Sequence, residues 1–285
     1  MTQSIIMKGG EWGQEVPHVL SNEELSALDS YLKKYRRGGK HDVKIIGQGM
    51  VSIVVEWEHG AVIKPLPLFP SKRAFDEYSS ILERQFRILA TGNVGVLSTT
   101  LQGRITESGA WAGYLVQPRV ATEQLLPQYL RSLGHVEAVD LLVHLASQLK
   151  AVVSPGFGLD GDITNWCVDT NGRLLLLDCS TPLLRDEAGH GLLDFDVFLA
   201  SIPRYLRAPI GRFVVPRLVS RFFETRRLFV DILSGFYSEE LSHLLPQVIS
   251  RWNSMLDKEI CETDVLRYKK RNERMWRALD ALGTN

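Results

Sequence analysis

The sequence predicts an α+β protein: a β-rich first third with one long helix, then a mainly helical remainder. Three observations predict it. Val- and Ile-rich runs, punctuated by glycine and closed by prolines, fill residues 44–65. Apolar residues recur at spacings of three and four over residues 72–90 and again over 136–153, as on an amphipathic helix. Between helical stretches lies one short β-like patch, residues 166–168 and 174–177, around the turn Asp169-Thr170-Asn171-Gly172.

Length and composition bound the function. With 285 residues the chain can build one large domain or two lobes. It is 45% hydrophobic and 23% charged, as ordinary globular proteins are. Lys+Arg and Asp+Glu both number 33, so no whole-chain attraction to nucleic acid or to an anionic membrane is expected. Cys167, Cys179 and Cys261 cannot all pair and lack zinc-site spacing; free thiols in a reducing cytoplasm are the expectation. The N-terminal residues carry no long apolar core of a secretory signal, and no apolar run approaches the roughly 18 residues that span a bilayer. A cytoplasmic location follows as an expectation, with no nucleic-acid or membrane partner.

In order along the chain, Ser21 and Glu24 form an S-x-x-E capping box ahead of Leu25, Leu28, Leu32 and Tyr35, so the first ordered element should be a helix, stopped by Gly38-Gly39. Two strands follow over residues 44–57, broken at Gly47-Gln48-Gly49. A turn at Glu58-His59-Gly60 then leads into Ala61-Val62-Ile63-Lys64, and Pro65, Pro67 and Pro70 end that run. Phe75, Tyr78, Leu82, Phe86 and Leu89 mark the helix over 72–90. Strands are expected near 96–106 and 111–120.

Four features carry chemistry. Gly47-Gln48-Gly49-Met50-Val51-Ser52 sits in a turn between strands, where glycine lets backbone N–H groups approach phosphate oxygens. Lys64 ends an apolar strand, an unusual place for a lysine. Asp160 precedes Asn165 by five residues in a loop after a long helix. Asp178 closes Leu174-Leu175-Leu176-Leu177, where a carboxylate needs a partner or a metal.

This set resembles the protein-kinase-like superfamily, in particular the small-molecule branch that includes aminoglycoside phosphotransferases and choline kinases. Gly47-x-Gly49 resembles the glycine-rich loop, with Ser52 where many kinases have a third glycine. Val62-Ile63-Lys64 resembles the V-A-I-K strand, and Asp160 with Asn165 matches H-R-D-x-x-x-x-N. Asp178 takes the place of the D-F-G aspartate. The resemblance implies a β-rich N-lobe over 1–118, a helical C-lobe over 119–285, and ATP with Mg²⁺ as cofactors. It implies Asp160 as base and Asn165 and Asp178 as metal ligands. Lys64 would hold the non-transferred phosphates, oriented by Glu83 or Glu77, with Glu83 preferred. Gln117-Pro118-Arg119-Val120 would be the hinge that meets adenine.

The pattern also departs from the family. Gly158 replaces the loop histidine and Cys179-Ser180 replaces Phe-Gly. Asp162 stands where a cation is usual, and an alternative alignment makes Asp162 the base. The short span from Asp178 to Asp194-Phe195-Asp196, without an A-P-E-like segment, favours a small-molecule hydroxyl acceptor over a protein. Asp194 and Asp196 resemble a later acidic position of that branch or cap the next helix. A kinase-shaped binding module without turnover is the alternative. The arginines of the C-terminal third read as a solvated helix face.

Overall fold

The computed structural model of the protein describes residues 2–7, 19–36, 44–48, 53–199 and 210–281. In chain order the strands and helices are β1 (Thr2–Met7), α1 (Asn22–Arg36), β2 (Lys44–Gln48), β3 (Ile53–Glu56), β4 (Ala61–Pro65), α2 (Lys72–Thr91), β5 (Gly95–Val96), β6 (Thr99–Ile105), β7 (Trp111–Pro118), α3 (Leu126–Ser132), α4 (His135–Val152), β8 (Phe157–Gly158), β9 (Trp166–Val168), β10 (Leu174–Leu176), β11 (Leu183–Leu184), α5 (Phe195–Phe198), α6 (Val215–Val219), α7 (Thr225–Gly235), α8 (Leu245–Asn253) and α9 (Glu262–Ala281). The fold is α+β. It divides into two units, Met1–Glu83 with Leu97–Arg119, and Arg84–Val96 with Val120–Asn285. The division therefore falls inside α2, and residues 84–96 join the helical unit rather than the first 118 residues.

The first unit is built on an antiparallel six-stranded sheet in the order β1-β6-β7-β4-β3-β2. The capping box starts α1 as its sequence requires: Ser21 N donates to Glu24 Oε2 at 2.7 Å and Glu24 N donates to Ser21 Oγ at 3.2 Å. The apolar stripe of α1, Leu25, Leu28 and Leu32, packs on Ala61, Ile63, Ala112, Tyr114 and Val116 of one sheet face. On the strands, Gly103 of β6 pairs across with Gly113 of β7. With no side chain at either position, the Phe75 ring from the start of α2 fills the space, and a Cβ on Gly103 would stand 2.4 Å from it.

One element precedes those expected. β1 runs along the sheet edge, antiparallel to β6 from Thr2↔Arg104 to Met7↔Thr99. Its sequence, Thr-Gln-Ser-Ile-Ile-Met, has no strict alternation, so the pairing with β6 rather than local pattern makes it a strand. Gly38 and Gly39, expected to stop α1, lie outside the described residues.

In the helical unit α4 buries Ala138, Val139, Leu142, Leu145, Ala146, Leu149 and Val152, the face its periodicity predicts. Trp252 of α8 donates its indole N–H to the Leu142 carbonyl at 3.1 Å, and its ring lies 4.5 Å from that of Phe229 on α7. Two small sheets complete this unit: β5-β10-β9, in which β10 is parallel to β5 and antiparallel to β9, and the pair β11-β8. The β9–β10 turn forms as its residues require, with Gly172 at φ 78° and Asp169 Oδ1 accepting from Asn171 N and Arg173 N.

Candidate functional site

In the sheet unit, β4 alternates: Ala61, Ile63 and Pro65 are buried, while Val62 and Lys64 lie between them half-buried. Since Ala61 and Ile63 face α1, the strand's period of two puts Lys64 on the opposite sheet face, where it pairs in register with Leu115. Gly47 marks a register shift between β2 and β3, and a Cβ there would stand 3.3 Å from Val54 Cβ. Gly49 and Ser52 of the expected phosphate loop lie outside the described residues. Gln117 Nε2 donates to Thr99 Oγ1 at 2.9 Å. Arg119 N donates to the Gly60 carbonyl at 2.8 Å, and its guanidinium pairs with Glu56.

Neither glutamate offered as the partner of Lys64 is buried. Glu83 is exposed, and Glu77 is exposed and paired with Arg73 at 2.9 Å. The buried stripe of α2 runs through Phe75, Tyr78, Ser79, Leu82, Gln85, Phe86 and Leu89, and the helical period turns both glutamates off it. The buried polar residue at the far end of that stripe is Gln85, 1% exposed, whose Nε2 donates to the Cys179 carbonyl at 3.0 Å.

The acidic residues of the helical unit converge on one scaffold. β8 leads into Asp160, and a short 3-10 turn, Ile163–Asn165, leads on into β9. Asn165 Nδ2 donates back to the Asp160 carbonyl at 3.4 Å, and the Asn165 carbonyl accepts from Leu177 N at 2.7 Å. The loop that carries Asp160 and Asn165 is thereby tied to the residue before Asp178. Asp178 Oδ1 in turn accepts from Ser180 N at 3.0 Å and Ser180 Oγ at 2.7 Å. Asp162 has a structural role: its Oδ1 caps the 3-10 turn, accepting from Thr164 N at 2.9 Å and Thr164 Oγ1 at 2.8 Å. Asp160 Oδ1 accepts only from Asp162 N, at 3.3 Å, among the hydrogen bonds of the described residues.

Burial, first, and then the neighbouring carboxylates Asp162, Asp231 and Asp178 push the Asp160 carboxyl up to about 7, against the hydrogen bond from Asp162 N. Asp231, on α7, was not singled out by sequence. It is held by Arg221 at 3.2 Å and by the Tyr268 hydroxyl, which donates at 2.6 Å, and burial raises its carboxyl too. Among the described residues no group of three or more His, Cys, Asp or Glu is placed to hold a metal ion. Asp194 immediately precedes α5, and the side chain of Asp196 lies outside the described residues.

Gly158 is packed too closely for a larger side chain. A Cβ on Gly158 would stand 3.1 Å from three atoms of the Phe223 ring, and Leu159 N donates to the Phe222 carbonyl at 3.2 Å. Gly161 is pressed likewise on α7, with Ile232 Cδ1 3.0 Å from its would-be Cβ. Arg221, one of the arginines read as a solvated helix face, is instead half-buried against Asp231; Phe223 and Tyr268 had no signal in the sequence, and Gln85 could have been found as a polar residue on the apolar stripe of α2. A groove of about 500 Å³ lined by Arg84, Arg87, Ile88, Thr91, Gly92, Ala151 and Val152 shares no residue with the acidic loop.

Cations of the C-terminal third pair with acids: Arg226 with Asp264 at 2.7 Å, Arg227 with Glu224 and Lys269 with Glu273, each at 2.5 Å. No helix among the described residues is long and apolar enough to cross a membrane. No curated protein matches the sequence. A family model described as a family of unknown function, DUF6206, matches residues 27–284, and the chain belongs to that family.

Proposed function

We propose that this protein has a protein-kinase-like fold, binds ATP with Mg²⁺ and transfers the terminal phosphoryl group to a hydroxyl of a small molecule. One observation carries the reading. Asn165 bonds the Asp160 carbonyl, at 3.4 Å, and Leu177 N, the residue before Asp178, at 2.7 Å, so the proposed base and both proposed metal ligands share one scaffold. The antiparallel sheet with Lys64 on the face opposite α1 supports it.

The donor set fits a nucleotide-borne magnesium better than a resident metal. Mg²⁺ keeps several waters and is held by one or two protein oxygens plus phosphates. One amide and one carboxylate, Asn165 and Asp178, meet that need, and no larger acidic metal cluster is placed among the described residues. When bound, the ion neutralises charge on the phosphates.

Asp160 would accept the acceptor's hydroxyl proton at a carboxyl oxygen while the acceptor oxygen bonds to phosphorus and the bond to ADP breaks. A carboxyl titrating at about 7 is poised for that work near neutral pH. The Thr164 cap on Asp162 favours Asp160 as that base. Lys64 would hold the non-transferred phosphates.

A second reading, a nucleotide-binding module without turnover, is favoured by Phe223 filling the space that a side chain at Gly158 needs. Two measurements separate them. Calorimetry of the wild type with ATP and Mg²⁺ should give heat at sub-millimolar to millimolar ligand; silence would remove both readings. ADP release across a panel of hydroxyl compounds should exceed background and fall about 10²–10⁴-fold in Asp160→Asn. The same assay on Asp162→Asn should show turnover near wild type. Binding without any ADP release would select the module.

A further inference from the structure

We propose that Arg185, stacked on the Phe223 ring beside the Asp160 loop, is an oxyanion-binding residue, and that the hydroxyl acceptor carries a carboxylate or phosphate. The acceptor assignment rests on the phosphotransferase reading; the anion site stands on its own geometry.

Pairing of β11 with β8 sets Leu183 opposite Gly158 and Leu184 opposite Phe157, and Arg185 N donates to the Gly156 carbonyl at 3.0 Å. The Arg185 side chain is half-buried, its Cζ 3.7 Å from the centroid of Phe223. The same ring packs on Gly158, two residues before Asp160. The Phe223 ring therefore links the guanidinium to Gly158 and the loop that carries the proposed base.

Stacking occupies the face of a guanidinium and leaves its N–H edge to bond in plane. The less exposed arginines of this unit spend that edge on acids. Arg173 reaches Asp169 at 2.6 Å, Arg226 reaches Asp264 at 2.7 Å, and Arg221 and Arg131 reach Asp231 and Glu239, each at 3.2 Å. Arg185 has no carboxylate partner among the described residues, and the adjacent Asp186 is committed to His190 at 3.4 Å. A planar fork fixed on an aromatic platform matches a carboxylate or phosphate bidentately. It would also serve a need of this site. Asp160, Asp162, Asp178 and Asp231 interact electrostatically and repel an anionic acceptor, and a cation beside them offsets that repulsion.

The test is anion binding without nucleotide. Inorganic phosphate and malonate are titrated by calorimetry and thermal shift at fixed ionic strength into wild type, Arg185→Gln, Arg185→Lys and Phe223→Leu, with circular dichroism melts to show folding. Wild type should bind at least one of the two saturably. Affinity should fall roughly tenfold or more in Arg185→Gln and less in Arg185→Lys, which keeps the charge and loses the fork. Phe223→Leu should weaken binding through loss of the platform. Preference for phosphate or for malonate identifies the oxyanion. Absence of saturable binding in the wild type, or equal binding in Arg185→Gln, would overturn the site. With the site intact, hydroxy acids or sugar phosphates should raise ADP release above neutral polyols and amino alcohols; the reverse ranking would overturn the acceptor class alone.

Discussion

Gln85 of α2 donates its side-chain amide to the carbonyl of Cys179 at 3.0 Å, and both residues are buried. The bond fixes the turn Asp178-Cys179-Ser180 to the helix. Replacing Gln85 by Met keeps the volume and removes the donor, leaving a buried carbonyl unsatisfied. A loss of about 1–3 kcal/mol is expected in urea unfolding. Gln85→Glu should be no better than Gln85→Met, because a carboxylate cannot donate. Wild-type stability in both variants would show that water or a shifted neighbour satisfies the carbonyl.

Asp160 gives stability a pH signature. Its carboxyl, raised to about 7 by burial and by its acidic neighbours, holds its proton to higher pH than the unfolded chain. There a free Asp titrates near about 4. Folding therefore takes up a proton between those values, and stability present below the lower value is lost as pH rises through the higher one. Asp160→Asn removes the dependence. It should leave stability unchanged near pH 4 and raise it at pH 8, on the order of 2 kcal/mol after discounting for partial exposure. Parallel stability curves for wild type and variant from pH 4 to 8 would contradict the raised value.

Lys64 and Glu83 should part company in nucleotide binding. Lys64→Ala removes a cation from the sheet face opposite α1, and its affinity for ATP with Mg²⁺ should drop roughly tenfold or more. Glu83 is exposed on α2, so Glu83→Ala should stay within about twofold by calorimetry. Equal losses would mean that the two side chains act together.

Gly158 and Phe223 should be coupled. Gly158→Ala places a methyl 3.1 Å from the ring and should cost about 1–3 kcal/mol. Combined with Phe223→Leu, the alanine should cost less than it does alone, a non-additivity that a double-mutant cycle in urea reads directly. Strict additivity would place the ring elsewhere in solution.

Local pattern was enough for much of this molecule. The capping box before α1, the three- and four-residue spacings of α2 and α4, and the Asp-x-Asn-Gly turn between β9 and β10 are short-range devices, and each formed where its residues stand. The places of Lys64 near the end of β4 and of Asp178 just past β10 were likewise legible, because apolar runs mark both strands.

What the sequence could not decide is whatever depends on a partner distant along the chain. β1 is a strand because β6 lies beside it, nearly a hundred residues on. Glu83 and Glu77 were both candidate mates for Lys64; the phase of α2, set by which face packs, leaves both exposed and buries Gln85. Asp160, preferred for its spacing to Asn165, and Asp162, its alternative, differ in the fold: Thr164 bonds Asp162, while burial raises the Asp160 carboxyl. Gly158 was a missing histidine in the sequence and is a packing site under Phe223 in the fold. The sequence by itself determined α1, α2, α4 and the β9–β10 turn, through hydrogen bonds and side-chain contacts a few residues apart. Only the tertiary structure decided the charge states and steric limits of the site, because burial and Coulomb interactions are set by distance in space rather than along the chain.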